Sequence, residues 1–132
     1  MLRLQYILLL GSHFRRLPPC VVQAYQGRVL NIHPALLPLF GGKGMFGENV
    51  HKAVLQSNCK ESGCTVHLVD EEYDTGSILV QHKVPVLEND TPAALAARVL
   101  EAEHIALLEA VNLICQKLAS TGESSHREET AV

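Results

Sequence analysis

None of the four cysteines, Cys20, Cys59, Cys64 and Cys115, stands in a CxxC pair, so the spacing offers neither a zinc site nor a disulfide frame. They read as reduced thiols of an intracellular protein. Basic charge is not in excess either: Lys and Arg number 11 against 14 Asp and Glu, a formal net charge of -3. That argues against nucleic acid as a partner. No apolar stretch approaches the length of a membrane span. The run Tyr6 to Leu10 near the start is flanked by Arg15 and Arg16 and has no small-x-small cleavage pattern, which argues against a signal peptide. A Ser/Arg-rich transit segment is missing too. The chain shows no internal repeat and no linker. Nor does it contain a nucleophile elbow or a paired-base motif, so a covalent intermediate is disfavoured and direct transfer preferred.

What is present is ordinary globular material. With 132 residues, 47% hydrophobic and 19% charged, the chain has room for one modest domain with a real core. Its elements alternate in the manner of α/β proteins. Tyr6 to Leu10 reads as a strand buried on both faces. Pro18 and Pro19 can start a short helix through Ala24, stopped by Gly27. Arg28 to His33 is a second strand, and the Pro- and Gly-rich stretch from Pro34 to Gly47 is a loop. Val50, Ala53, Val54 and Ser57 recur at helical spacing, giving a helix over Glu48 to Gln56. Thr65 to Val69 and Ile78 to Val86 form a hairpin-like pair of strands around the turn Asp74-Thr75-Gly76. Thr91 and Pro92 then open a helix to about Leu118, apolar at Leu95, Val99, Ala102, Leu107, Val111 and Ile114. At 1.5 Å per residue it spans roughly 40 Å and needs a sheet to lie on. The folded domain thus covers residues 1–118, and residues 119–132 read as a disordered polar tail. The fold class is α/β, part of a doubly wound, mostly parallel sheet with flanking helices.

The informative chemistry lies in Asn31-Ile32-His33-Pro34 and in Asp74. Alternate side chains of a strand share a face, so Asn31 and His33 project together. Pro34 restricts His33 to extended conformations and ends the strand at once. The pair therefore sits at a strand's C-terminal edge, where open α/β sheets bind ligands. Acyl transfer to an amine needs a proton acceptor and a donor to the tetrahedral oxyanion. His33 and Asn31 supply these, and Asp74 would orient and tune the ring if the fold brings it near. The loop Gly41-Gly42-Lys43-Gly44-Met45-Phe46-Gly47 has a phosphate loop's composition but not its GxxxxGK[ST] order, which favours a mobile lid over nucleotide binding. His67 is either a structural strand histidine or a site-lining one. Glu103 and His104, mid-helix, would ordinarily lie on a solvated face. His51, His82 and His126 carry no pattern.

Asn31-Ile32-His33-Pro34-Ala35-Leu36-Leu37-Pro38, with Gly63 to Leu79 (GCTVHLVDEEYDTGSIL), resembles the phosphoribosylglycinamide formyltransferase family of folate-dependent purine synthesis. The resemblance runs from about Leu8 to about Leu113, and the loop Phe40 to Gly47 is similar to plant-type and some bacterial members. It implies transfer of a formyl group from the cosubstrate 10-formyltetrahydrofolate to the amine of glycinamide ribonucleotide, without a metal. It further implies that His33 is the general acid/base, Asn31 the formyl-oxygen donor and Asp74 the carboxylate that holds the histidine. Phe14, Arg15, Arg16 and Leu17 fall where the family lines its pterin pocket, and Asp70, Glu71, Glu72, Tyr73 and Asp74 form the loop closing over that ring. Glu103 falls on the position that contacts glycinamide. Gly11-Ser12-His13-Phe14-Arg15-Arg16 departs from the family's Ala-Gly-aromatic run.

Family members begin with a Rossmann-like half whose glycine-rich loop holds the substrate phosphate, and this sequence matches the second half only. A sheet lacking its first strands exposes an apolar edge, so association with a separate N-terminal half, or self-association, is expected. Two further readings stand beside the leading one. A formyltetrahydrofolate deformylase uses a similar Asn-x-His and Asp set with water as acceptor, and an inactive folate-binding fragment would keep the pocket without turnover. The small-molecule substrates leave no role for nucleic acid or membrane.

Overall fold

The computed structural model describes residues 7–9, 18–69 and 77–120. Seven elements follow in order: β1 (Ile7–Leu9), α1 (Pro19–Ala24), β2 (Val29–His33), α2 (Glu48–Gln56), β3 (Glu61–Leu68), β4 (Ile78–Pro85) and α3 (Pro92–Ser120). Local signals account for most of the boundaries. Pro18 caps α1 and Pro19 opens it with φ already fixed. Gly47, at φ 58°, makes the sharp entry to α2. Thr91 accepts the Ala94 N–H on its Oγ1 at 3.1 Å, the hydroxyl cap expected for α3.

The four strands form one sheet in the order β1-β2-β3-β4. β1 runs parallel to β2, with Leu9 opposite Asn31. β3 is antiparallel to both β2 and β4. The α/β layering is as expected, but a mostly parallel sheet is not what these four strands make. The link from β3 to β4, residues 69–77, is shorter than the dozen or more residues a parallel crossover needs, so the pair closes as a hairpin. β3 also begins four residues before the expected Thr65. Glu61 and Ser62 hold strand geometry because they pair with Pro85 and Val84, not through any propensity of their own.

One face of the sheet carries the main core. Leu30 and Ile32 of β2, Cys64 and Val66 of β3, and Val80 and Val84 of β4 pack with Val54 of α2 and with Leu95, Val99, Ala102, Ala106 and Ala110 of α3. The seam of α3 is thus made largely of alanines, which let a long helix approach the sheet closely. Leu107 and Ile114 flank that seam, partly buried. Val111, expected on the buried side, is 41% exposed because Ala110 takes the contact. α3 ends at Ser120, two residues beyond the expected end of the folded part, and residues 121–132 of the expected tail lie outside the described residues. The opposite face, bearing Asn31, His33, Thr65 and His67, is left for polar groups.

Candidate active site

Asn31 and His33 leave the same face of β2, and the antiparallel register sets His67 opposite Asn31 and Thr65 opposite His33. His67 donates from Nδ1 to the Leu68 carbonyl at 3.0 Å, so in the neutral ring its Nε2 accepts, and the Asn31 Nδ2 lies 3.3 Å away. That pairing orients the Asn31 amide: the NH2 group must point to His67, since its carbonyl oxygen could not bond an accepting nitrogen. One of the two amide N–H groups is then used and the second is available to a substrate oxygen. A bulge that skips Leu79 between the pairs Val66–Val80 and His67–Ile78 falls beside this contact. Bulges re-aim the side chains next to them. The structure thus places His67 in contact with Asn31, on the candidate site's face of the sheet.

His33, almost fully buried, lies 2.7 Å by its Nε2 from the Phe40 carbonyl. A carbonyl can only accept, so Nε2 carries a proton in either charge state of the ring. Phe40 reaches it from an unusual backbone, φ 57°, in the left-handed region that non-glycine residues seldom adopt. Pro34 ends the strand, and the chain turns back within seven residues to meet its own histidine.

A third histidine, missed in the sequence, closes the neighbourhood. His51 of α2 is buried, and its Nδ1 has no hydrogen-bond partner among the described residues. Burial holds its pKa below the ordinary histidine value, the charge of nearby His33 adds to that, and Glu48 opposes it. A spacing of eighteen positions from His33, across a loop, gave no periodic signal to find it by.

Glu103 lies in α3, whose buried side packs on the sheet face of Cys64 and Val66. Burial pushes its carboxyl up to about 7. Burial also pushes the Cys64 thiol up to about 11, with the Glu103 charge adding to it. The solvated face expected from its mid-helix position is not what Glu103 occupies. Phe14, Arg15, Arg16 and Leu17, and the segment Asp70, Glu71, Glu72, Tyr73 and Asp74, lie outside the described residues. Of the described residues that flank the latter, Val69 donates to the Val29 carbonyl at 2.7 Å and Leu68 to the Ser77 carbonyl at 2.8 Å. Among the described residues no group of three or more His, Cys, Asp or Glu side chains could hold a metal ion. No described helix is long and apolar enough to cross a membrane.

Strand β2, parallel to β1, thus delivers an Asn-x-His pair to one face of the α/β sheet. The model of the formyl transferase family matches residues 3–111, and the chain belongs to that family. The chloroplastic phosphoribosylglycinamide formyltransferase of Arabidopsis thaliana is 55% identical over 109 residues, which are 83% of this chain and 37% of the relative. The crystal structure of phosphoribosylglycinamide formyltransferase from Anaplasma phagocytophilum superposes with a TM-score of 0.77 at 37% identity, over 86% of this chain and 52% of that one. A formyltetrahydrofolate deformylase from Pseudomonas syringae is more distant, with 28% identity and a TM-score of 0.66 over 75% of this chain and 32% of that one. The α/β formyltransferase-type fold expected from the motifs is thus established. The chain spans about a third of the plant relative's length and about half of the solved one's.

Proposed function

We propose that this chain carries the chemistry that moves the formyl group of 10-formyltetrahydrofolate onto the amine of glycinamide ribonucleotide. The observation that supports it best is the oriented Asn31 amide standing two residues from His33 on one face of β2. The amine nitrogen attacks the formyl carbon, a C–N bond forms, and the carbonyl electron pair moves to oxygen. The second Asn31 N–H donates to that oxyanion. His33 moves the proton from the attacking nitrogen to the departing folate nitrogen, whose bond to the formyl carbon then breaks. The products are the N-formylated glycinamide and tetrahydrofolate.

In this reading Asp74 holds and tunes His33, and Phe14, Arg15, Arg16, Leu17 and residues 70–74 receive the pterin ring. Glu103, which the family resemblance assigns to the amine side of the substrate, lies on the α3 side of the sheet with Cys64, behind the face that carries Asn31 and His33. No metal takes part. β1 hydrogen-bonds to β2 alone among the described strands, which supports completion of the sheet by an N-terminal half supplied separately or by a second copy. The compartment is the cytoplasm or a plastid, the chloroplastic relative supporting the latter.

The test is a spectroscopic formyl-transfer assay with 10-formyltetrahydrofolate, run with and without glycinamide ribonucleotide. Amine-dependent loss of the formyl group is expected. Loss that ignores the amine would replace this reading with the hydrolase, and folate binding without turnover would replace it with an inactive fragment.

A further inference from the structure

Thr65 and Gln81 are a register pair across β3 and β4, and both hydrogen-bond to one short piece of loop. The Thr65 hydroxyl donates to the Ala35 carbonyl at 2.7 Å, and accepts from the Leu37 N–H at 3.0 Å and from the Gln81 Nε2 at 3.0 Å. One donor and two lone pairs are all a hydroxyl has. The same Gln81 amide donates to the Leu37 carbonyl at 2.8 Å. Leu36, held between the two anchored residues, lies over Gly63, where a Cβ would come 2.7 Å from its Cδ2. Gly63 and Thr65 share a strand face, so a bare glycine, a hydroxyl and an amide together form a seat for residues 35–37.

That seat supports the group that holds His33. From Leu37 the chain makes one more turn, Leu39 N–H to Leu36 carbonyl at 3.1 Å, and arrives at Phe40, whose carbonyl meets His33 Nε2. The stretch beyond it, through Gly47, is rich in glycine and cannot impose that position by its own stiffness. Thr65 is wholly buried, so with its hydroxyl gone the Ala35 and Leu37 backbone groups lose their partner where water does not reach.

We propose that Thr65 and Gln81 are positioning residues for His33: by seating residues 35–37 they place the Phe40 carbonyl that keeps the ring's proton on Nε2 and fixes its orientation. The proposal rests on the formyl-transfer reading for its kinetic consequence alone. Its structural content is read independently by long-range 15N–1H NMR of the histidine rings, with His33 assigned by loss of its signals in a His33→Asn variant.

The variants are Thr65→Val, which keeps shape and loses the hydroxyl, Thr65→Ser, which keeps the hydroxyl, and Gln81→Leu. In the parent chain and Thr65→Ser, neutral His33 shows a single Nε2–H tautomer. In Thr65→Val and Gln81→Leu it becomes a mixture, and where the parent is active, well below each variant's melting temperature, kcat falls roughly tenfold or more with KM within about twofold. Thr65→Ser restores kcat to within about threefold. Folded Thr65→Val or Gln81→Leu with the parental tautomer would overturn the proposal. If Thr65→Val does not fold, the Gln81→Leu tautomer decides it. An inactive parent would count against the formyl-transfer reading, while the tautomers would still decide the role of the seat.

Discussion

Asn31 and His67 face each other across the β2–β3 pair with 3.3 Å between the amide nitrogen and the imidazole Nε2. A histidine that looks structural on its strand thereby sets which way the amide proposed as oxyanion donor points. Replacing His67 with Phe keeps the ring's bulk and removes the acceptor. The Asn31 amide is then free to flip, and we expect kcat to fall about tenfold, the size of one net hydrogen bond at a developing charge. Binding of folate should change little, so steady-state kinetics separating kcat from KM checks it.

Gly63 is a second position where the backbone leaves no choice. A Cβ there would lie 1.9 Å from the His82 carbonyl oxygen of the neighbouring strand, as well as against Leu36. Gly63→Ala must push β3 and β4 apart, and a loss of about 3 kcal/mol is expected in chemical denaturation, the upper part of the range for overpacking. Alanine at Gly44, exposed and with open space around it, meets only the left-handed backbone at φ 84° and should cost distinctly less.

His51 makes stability depend on pH. Its folded pKa is held below the ordinary histidine value, so the unfolded chain binds the proton more readily. Its contribution is therefore complete above about pH 6.5 and is lost as pH falls through and below that value. Melting temperature should decline from pH 7 toward pH 5, and a His51→Phe variant should decline less steeply over the same window. Identical slopes would show that another group governs it.

Asp90 and Arg98 give the opposite end of the scale. Two guanidinium nitrogens bond the two carboxylate oxygens at 2.7 and 2.8 Å, and the Leu87 N–H adds a third donor at 2.8 Å. The hydrogen bonds from Arg98 chiefly, then that from Leu87, hold the Asp90 carboxyl down to about 2. Stability from this pair is present above the unfolded value near 4 and is lost as pH falls toward 2. Asp90→Asn should lower the melting temperature at pH 7 and flatten the acid limb of the stability profile.

Much of this architecture can be read from the residues themselves. Glu48–Gln56 shows its helical spacing and Thr91-Pro92 its cap because both signals are local. The Asn31/His33 face follows from the two-residue period of a strand. What resisted reading is long-range. Glu61 to Cys64 has no strand propensity of its own and is held by β4. The antiparallel turn of β3 against β2, the alanine seam of α3, and the partnership of Thr65 with Leu37, 28 positions away, depend on tertiary placement. A single residue in isolation carries no trace of it. His51 was silent for the same reason.

The most direct measurement is the rate of formyl loss from 10-formyltetrahydrofolate in the presence of glycinamide ribonucleotide, for the chain supplied with the N-terminal part of its plant relative. It is to be repeated with Asn31→Ala and His33→Ala. The account predicts amine-dependent transfer that drops at least about a hundredfold in each variant, the usual size of a lost oxyanion donor or acid/base group. Parental rates in either variant, from folded protein, would contradict it.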